Sequence, residues 1–214
     1  MATPANARLE IVHPDIRSYL ANLAPESDPL VATMEAEAAA SNFPIVGRAT
    51  GRWLEQLTRM VGGKRVFEFG SGYGYSALFF ARAVGPGGEV HGSDTNPKWI
   101  DLHRELWTGH ALADRVHLTV GWGKDALAAV PGDLDVFLID STKVQYGDDL
   151  DLALSRCRAG GLVLVDNVLW GGRVTGGEQD DTTAAIHAFN RKVFAQHDVN
   201  VLPVGDGLAV IRKP

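Results

Sequence analysis

Two carboxylates and an amide, Asp140, Asp166 and Asn167, are the residues whose types and placement most suggest chemistry. Asp140 closes the apolar segment Leu134 to Asp140, and Asp166-Asn167 follows at the end of Gly161 to Asp166. If both segments are strands and neighbours, they lie about 5 Å apart, and three oxygen donors converge at one edge. Such hard donors suit Mg²⁺, Mn²⁺ or Ca²⁺ better than zinc. The seven histidines form no HExxH or comparable pair that would compete. Acids at strand ends also commonly cap the following helix. Against that reading, a charge ending so apolar a strand as that before Asp166 is costly without a partner. Lys143, three residues after Asp140, supplies a cation in the same loop.

A second constellation lies upstream. Val66-Phe67-Glu68-Phe69 runs into Gly70-Ser71-Gly72-Tyr73-Gly74-Tyr75-Ser76. Glycines there let the backbone turn tightly and approach a ligand. A dinucleotide fingerprint requires glycine where Tyr75 stands, so a pyrophosphate site is disfavoured. Asp94, about twenty residues on after a second strand, has the placement of an acid that bonds ribose hydroxyls. Glu68, the glycines and Asp94 together favour a nucleoside. A plain strand-to-helix turn, with Asp94 as a cap, is the alternative.

These residues need elements to hold them. Helices are predicted over Pro29 to Ala40 and Thr50 to Met60, with Thr50 as a cap and Gly62-Gly63 as the break. Strand and helix then alternate. Strands fall at Val66 to Phe69, Glu89 to Ser93, Val116 to Val120, Leu134 to Asp140 and Gly161 to Asp166. Helices fall at Ser76 to Val84, Asn96 to Trp107, Asp149 to Arg158 and Thr182 to Gln196. Val199 to Val204 and Leu208 to Ile211, joined through Gly205-Asp206-Gly207, read as a hairpin. The pattern implies a Rossmann-like, doubly wound, mostly parallel α/β sheet of seven strands with an antiparallel C-terminal strand. Residues 1–214 are expected to form one domain, with residues 1–60 a helical cover and 64–214 the core.

Composition sets the outer bounds. The chain has 214 residues, a net charge of −6, 45% hydrophobic and 21% charged residues. The mild acidity argues against a broad nucleic-acid grip. Apolar runs such as Leu162 to Val165 are too short for a bilayer, and Met1 to Asp15 shows no targeting pattern. Cys157 is the only cysteine, which excludes an intramolecular disulfide and fits a cytoplasmic setting.

From Phe43 to Arg212 the chain resembles the cation-dependent S-adenosylmethionine O-methyltransferases, which include catechol and caffeoyl-coenzyme A O-methyltransferases. The resemblance rests on the glycine turn, Asp94, Gly121-Trp122-Gly123-Lys124-Asp125, the Asp-x-x-Lys motif at Asp140 and the Asp166-Asn167 pair. It implies that Glu68, Gly70, Gly72 and Ser76 surround the methionine end of S-adenosyl-L-methionine, and Asp94 its ribose. Trp122 and Gly123 would enclose the adenine, with Val46 and Asp140 also touching the cofactor. Trp122 reads equally well as a core residue. Asp140, Asp166 and Asn167 would hold Mg²⁺ (or Mn²⁺ or Ca²⁺), and Lys143, Asn167 and Trp170 would face the acceptor, with Tyr146 a lesser candidate. The implied chemistry is methylation of vicinal hydroxyls on a small aromatic. A cation on two adjacent hydroxyls stabilises the oxyanion, and its charge disfavours protonated Lys143, which then accepts the phenolic proton. Thr142 departs from relatives that carry a second acid two residues after Asp140. A nicotinamide-dependent oxidoreductase, a metal-dependent hydrolase and a non-catalytic nucleoside-binding module stand as alternatives. The N-terminal helices offer a homodimer contact.

Overall fold

The computed structural model describes residues 11–176 and 180–214. Residues 1–10 of the expected N-terminal cover, and of the Met1 to Asp15 stretch, lie outside the described residues. Strands β1 (Arg65–Phe69), β2 (Glu89–Asp94), β3 (Val116–Val120), β4 (Leu134–Ile139), β5 (Cys157–Val165), β6 (Val199–Leu202) and β7 (Leu208–Arg212) form one sheet in the order β3-β2-β1-β4-β5-β7-β6. β1 to β5 pair in parallel, and β7 lies antiparallel to both β5 and β6. The expected class and the antiparallel C-terminal strand are both present.

Alternation along each strand divides the core into two layers. Val136 and Leu138 of β4 and Leu164 of β5 join the layer under helices α2 (Pro29–Ser41), α3 (Gly47–Met60) and α4 (Tyr75–Val84). Phe137, Ile139, Val163 and Val165 join the opposite layer, under α7 (Tyr146–Arg156) and α8 (Asp181–Gln196). Strands buried on both faces must be apolar almost throughout, which is why β4 and β5 read as continuous hydrophobic runs. By the same alternation Glu68 falls on the Val66 face, beneath α4.

Strand order reverses between β1 and β4, and ligands in such sheets bind beyond the carboxyl ends at that reversal. Register brings those ends level. Phe69 pairs with Ser93 on one side and Ile139 on the other, and Ile139 pairs with Val165. Gly70, Asp94, Asp140 and Asp166 therefore leave the sheet side by side.

Several local expectations change. Thr50 is not a cap: it is fully buried inside α3, whose N-cap residue Val46 makes no side-chain cap bond. Asn96, not Asp94, caps α5 (Pro97–Leu106), accepting from Lys98 N. α7 begins at Tyr146 and β5 at Cys157, earlier than the spacing predicts. Helices α1 (Pro14–Leu23) and α6 (Gly123–Ala129) are additional. α1 buries no residue, so no core face marks it in the sequence. α6 has only seven residues and starts on a glycine, a poor helix former.

The helical cover is anchored to the glycine turn. Tyr73 Oη donates to Met34 O at 3.0 Å, and Tyr75 Oη to Glu35 Oε1 at 2.8 Å. Phe43 packs on both Tyr73 and Trp99 at 5.0 and 4.4 Å between ring centroids.

Candidate active site

A cleft of about 830 Å³ opens at the strand-order reversal, walled by the glycine turn, the segment before α3, and the loops after β3, β4 and β5. Gly70, Gly72, Ser76, Asp94, Val46, Trp122, Gly123, Asp140, Lys143, Asp166, Asn167 and Trp170 all line it. The structure thus gathers every expected site residue except Glu68 and Tyr146.

Gly70 shows why the turn is glycine. Its φ is +83°, and a Cβ there would meet Asp140 O at 2.6 Å. Only a residue without a side chain lets the β1 and β4 loops touch. Gly72 N donates to Asp94 Oδ2 at 3.2 Å, and Asn96 N to Asp94 Oδ1 at 2.8 Å. Asp94 is thereby oriented at the rim of the turn, where it can receive a diol.

Glu68 sits behind this turn. It is fully buried, and neither carboxylate oxygen has a hydrogen-bond partner among the described residues. Burial pushes its carboxyl up to about 8. It supports the floor without lining the cleft. Trp122 is 53% exposed at the mouth, so it is not a core residue.

The charged end of the cleft is compact. Lys143 Nζ donates to Asn167 Oδ1 at 2.6 Å, Tyr146 Oη at 2.6 Å and Asp140 Oδ1 at 3.1 Å. Asp166 is almost fully buried, with Oδ1 unpartnered among the described residues. Burial raises the Asp166 carboxyl well above the usual carboxylate range, and the negative Asp140 adds to the effect. Asp140 is also raised, by burial first, with Lys143 opposing. A buried carboxylate without a partner costs several kcal/mol, roughly, and a bound cation would offset that. Two carboxylates, one orphaned, and an amide oxygen make a donor set that fits a hard divalent cation. No third carboxylate, histidine or cysteine joins them among the described residues.

The loop carrying Asn167 is strained into shape. Asn167 and Trp170 have φ of +60° and +48°, left-handed values uncommon for non-glycine residues. The β6–β7 turn holds this loop. Val168 N donates to Gly207 O at 3.1 Å, Leu169 N to Asp206 O at 3.0 Å, and Gly171 N to Asp206 Oδ1 at 2.5 Å. Trp170 stands beside the cation, its ring centroid 5.8 Å from Lys143 Nζ.

The profile of the O-methyltransferase family matches residues 26–214. The chain belongs to the O-methyltransferase family. A catechol O-methyltransferase of Mycobacterium tuberculosis is 29% identical over 187 residues, covering 86% of this chain and 84% of that one. A methyltransferase crystal structure from Geobacter sulfurreducens superposes with a TM-score of 0.79 at 31% identity, covering 96% of this chain and 99% of that one. A methyltransferase structure from Podospora anserina, bound to SAH, gives 0.80 at 25% identity, covering 94% of each chain.

Tyr146 departs from its expected place in this O-methyltransferase. Its side chain is fully buried, its hydroxyl donates to Asp166 O at 2.8 Å, and it does not line the cleft. Burial holds that phenol well above its ordinary pKa. Two further residues bear on the site in ways their sequence positions do not indicate. Asp206 was explained by its turn, yet its side chain also ties the Asn167 loop. Asp149 is buried, lines the cleft and accepts from Ser141 Oγ at 2.5 Å. Its position one turn into α7 was the only available signal.

Proposed function

We propose that this O-methyltransferase moves the methyl group of S-adenosyl-L-methionine to one of two vicinal hydroxyls on a small aromatic, with a divalent cation bound at Asp140, Asp166 and Asn167. The observation carrying this reading is convergence. A single cleft holds a ribose-oriented acid, Asp94, and a lysine ammonium within 3.1 Å of two of the three cation donors. The SAH-bound relative and the catechol O-methyltransferase relative support the same donor and acceptor classes. We read residues 1–214 as one catalytic domain.

Each part of the chain has a separable task. The glycine turn accommodates the methionine end, Asp94 takes the ribose diol, and Trp122 and Gly123 close over the base. When bound, S-adenosylmethionine supplies a methyl on a cationic sulfur, whose electron pair stays with sulfur as the new O–C bond forms. When bound, a divalent cation supplies charge that steadies two adjacent oxygens at once. Lys143 Nζ, as the neutral amine, accepts the hydroxyl proton of the attacking oxygen. Trp170 gives the aromatic ring a flat wall. The chain contributes mainly orientation and electrostatics, which suits an in-line displacement.

Calorimetry with S-adenosylmethionine and with NAD distinguishes this reading from a nicotinamide oxidoreductase. Binding of the sulfonium compound alone is expected. NAD binding without S-adenosylmethionine binding overturns it.

A further inference from the structure

Tyr146 lies outside the cleft yet touches Lys143, which lines it. Its ring is wedged edge-on against Phe189 at 5.5 Å and is completely buried, so its hydroxyl has little freedom. That hydroxyl has one proton, and the proton is committed to Asp166 O, which can only accept. Toward Lys143 Nζ, 2.6 Å away, the oxygen therefore presents lone pairs alone. It can take an N–H from Lys143 and can give nothing back.

We infer that Tyr146 is a positioning residue for the proton-accepting lysine, fixing where Nζ sits and which way its free valence points. As the neutral amine, Lys143 keeps two N–H groups, which Tyr146 and Asn167, both at 2.6 Å, can take, and the remaining tetrahedral direction carries the lone pair offered to the acceptor hydroxyl. Local geometry enforces the pairing. Lys143–Gln145 is a 3-10 turn, in which side chains three apart eclipse, so Lys143 and Tyr146 stand one above the other. Through Asp166 O, the same hydroxyl ties the lysine to the backbone of the β5 loop. This inference rests on the proposed role of Lys143 as base.

The test is Tyr146→Phe, which keeps the ring and removes the oxygen. Its crystal structure is expected to show Lys143 Nζ shifted from Asn167 Oδ1 or spread over several positions. An unmoved, ordered lysine overturns the inference. Turnover of catechol is expected to fall about tenfold or more, with S-adenosylmethionine affinity unchanged. The loss should shrink on a nitrocatechol already ionised at the assay pH, because no proton then needs removal. An equal loss on both acceptors marks a merely structural role and overturns it. In a double-mutant cycle, Tyr146→Phe should cost nothing further once Lys143→Ala is present. Full activity of Lys143→Ala alone removes the base reading itself. An inactive Lys143→Ala beside an unaffected Tyr146→Phe removes only the role of Tyr146.

Discussion

Lys143 and Asn167, twenty-four positions apart, meet at 2.6 Å between Nζ and Oδ1. Two loops from adjacent parallel strands thus share one polar contact at the charged end of the cleft. If Lys143 takes the acceptor proton, Lys143→Ala is expected to lose about 10²- to 10⁴-fold in turnover. S-adenosylmethionine affinity, measured by calorimetry, should stay within about threefold, roughly 0.7 kcal/mol.

The orphaned oxygen of Asp166 makes a second prediction. Removing that charge should both relieve an electrostatic cost and abolish cation binding. Asp166→Asn is therefore expected to melt at a temperature equal to or above that of the metal-free parent. Mg²⁺ should raise the parent's melting temperature and leave the variant's unchanged. Equal Mg²⁺ responses would place the cation elsewhere.

Asp206 gives a third. Its carboxylate and the main chain of the β6–β7 turn brace the left-handed Asn167 and Trp170. Asp206→Ala leaves Gly171 N without its acceptor and should cost about 1–3 kcal/mol. Acceptor KM is expected to rise while cofactor affinity holds. Asp206→Asn keeps an oxygen at this position and should recover most of both. Denaturant melts and initial-rate kinetics on the three proteins check this.

Glu68 predicts a pH signature of stability. Its folded pKa of about 8 exceeds the ordinary 4.5, because burial disfavours the charged form. Between those values the native chain holds more protons than the unfolded one, so this contribution falls as pH rises. Glu68→Gln, which cannot ionise, should gain in melting temperature over the parent from pH 4.5 to pH 8.5. A gap between the two that does not vary with pH contradicts the burial argument.

Legibility of the fold and site followed physical scale. β4 and β5 could be read because strands covered on both faces must be apolar, and their terminal acids then stand out by contrast. Asp94 could be read from its distance after the glycine turn. α1 could not, since none of its residues is buried. Tyr146 was misassigned because an aromatic near a site suggests a pocket wall. Only its i+3 spacing from Lys143 within a 3-10 turn hints at the hydroxyl contact. Asp206 was hidden for a different reason: an Asp-Gly turn already accounts for its type, and its bond to Gly171 spans a distance no local pattern encodes. Glu68 was legible as a residue of interest, yet its place behind the turn depends on α4 lying over the sheet.

The proposed reaction joins three components, a sulfonium donor, a divalent cation and a pair of adjacent hydroxyls. The most direct test is mass-spectrometric detection of methylated product from catechol and from phenol, with S-adenosylmethionine, in Mg²⁺ and in excess chelator. Methylated catechol in Mg²⁺, little in chelator and none from phenol is the expected result. Undiminished methylation of catechol in chelator, or equal methylation of phenol, contradicts the account.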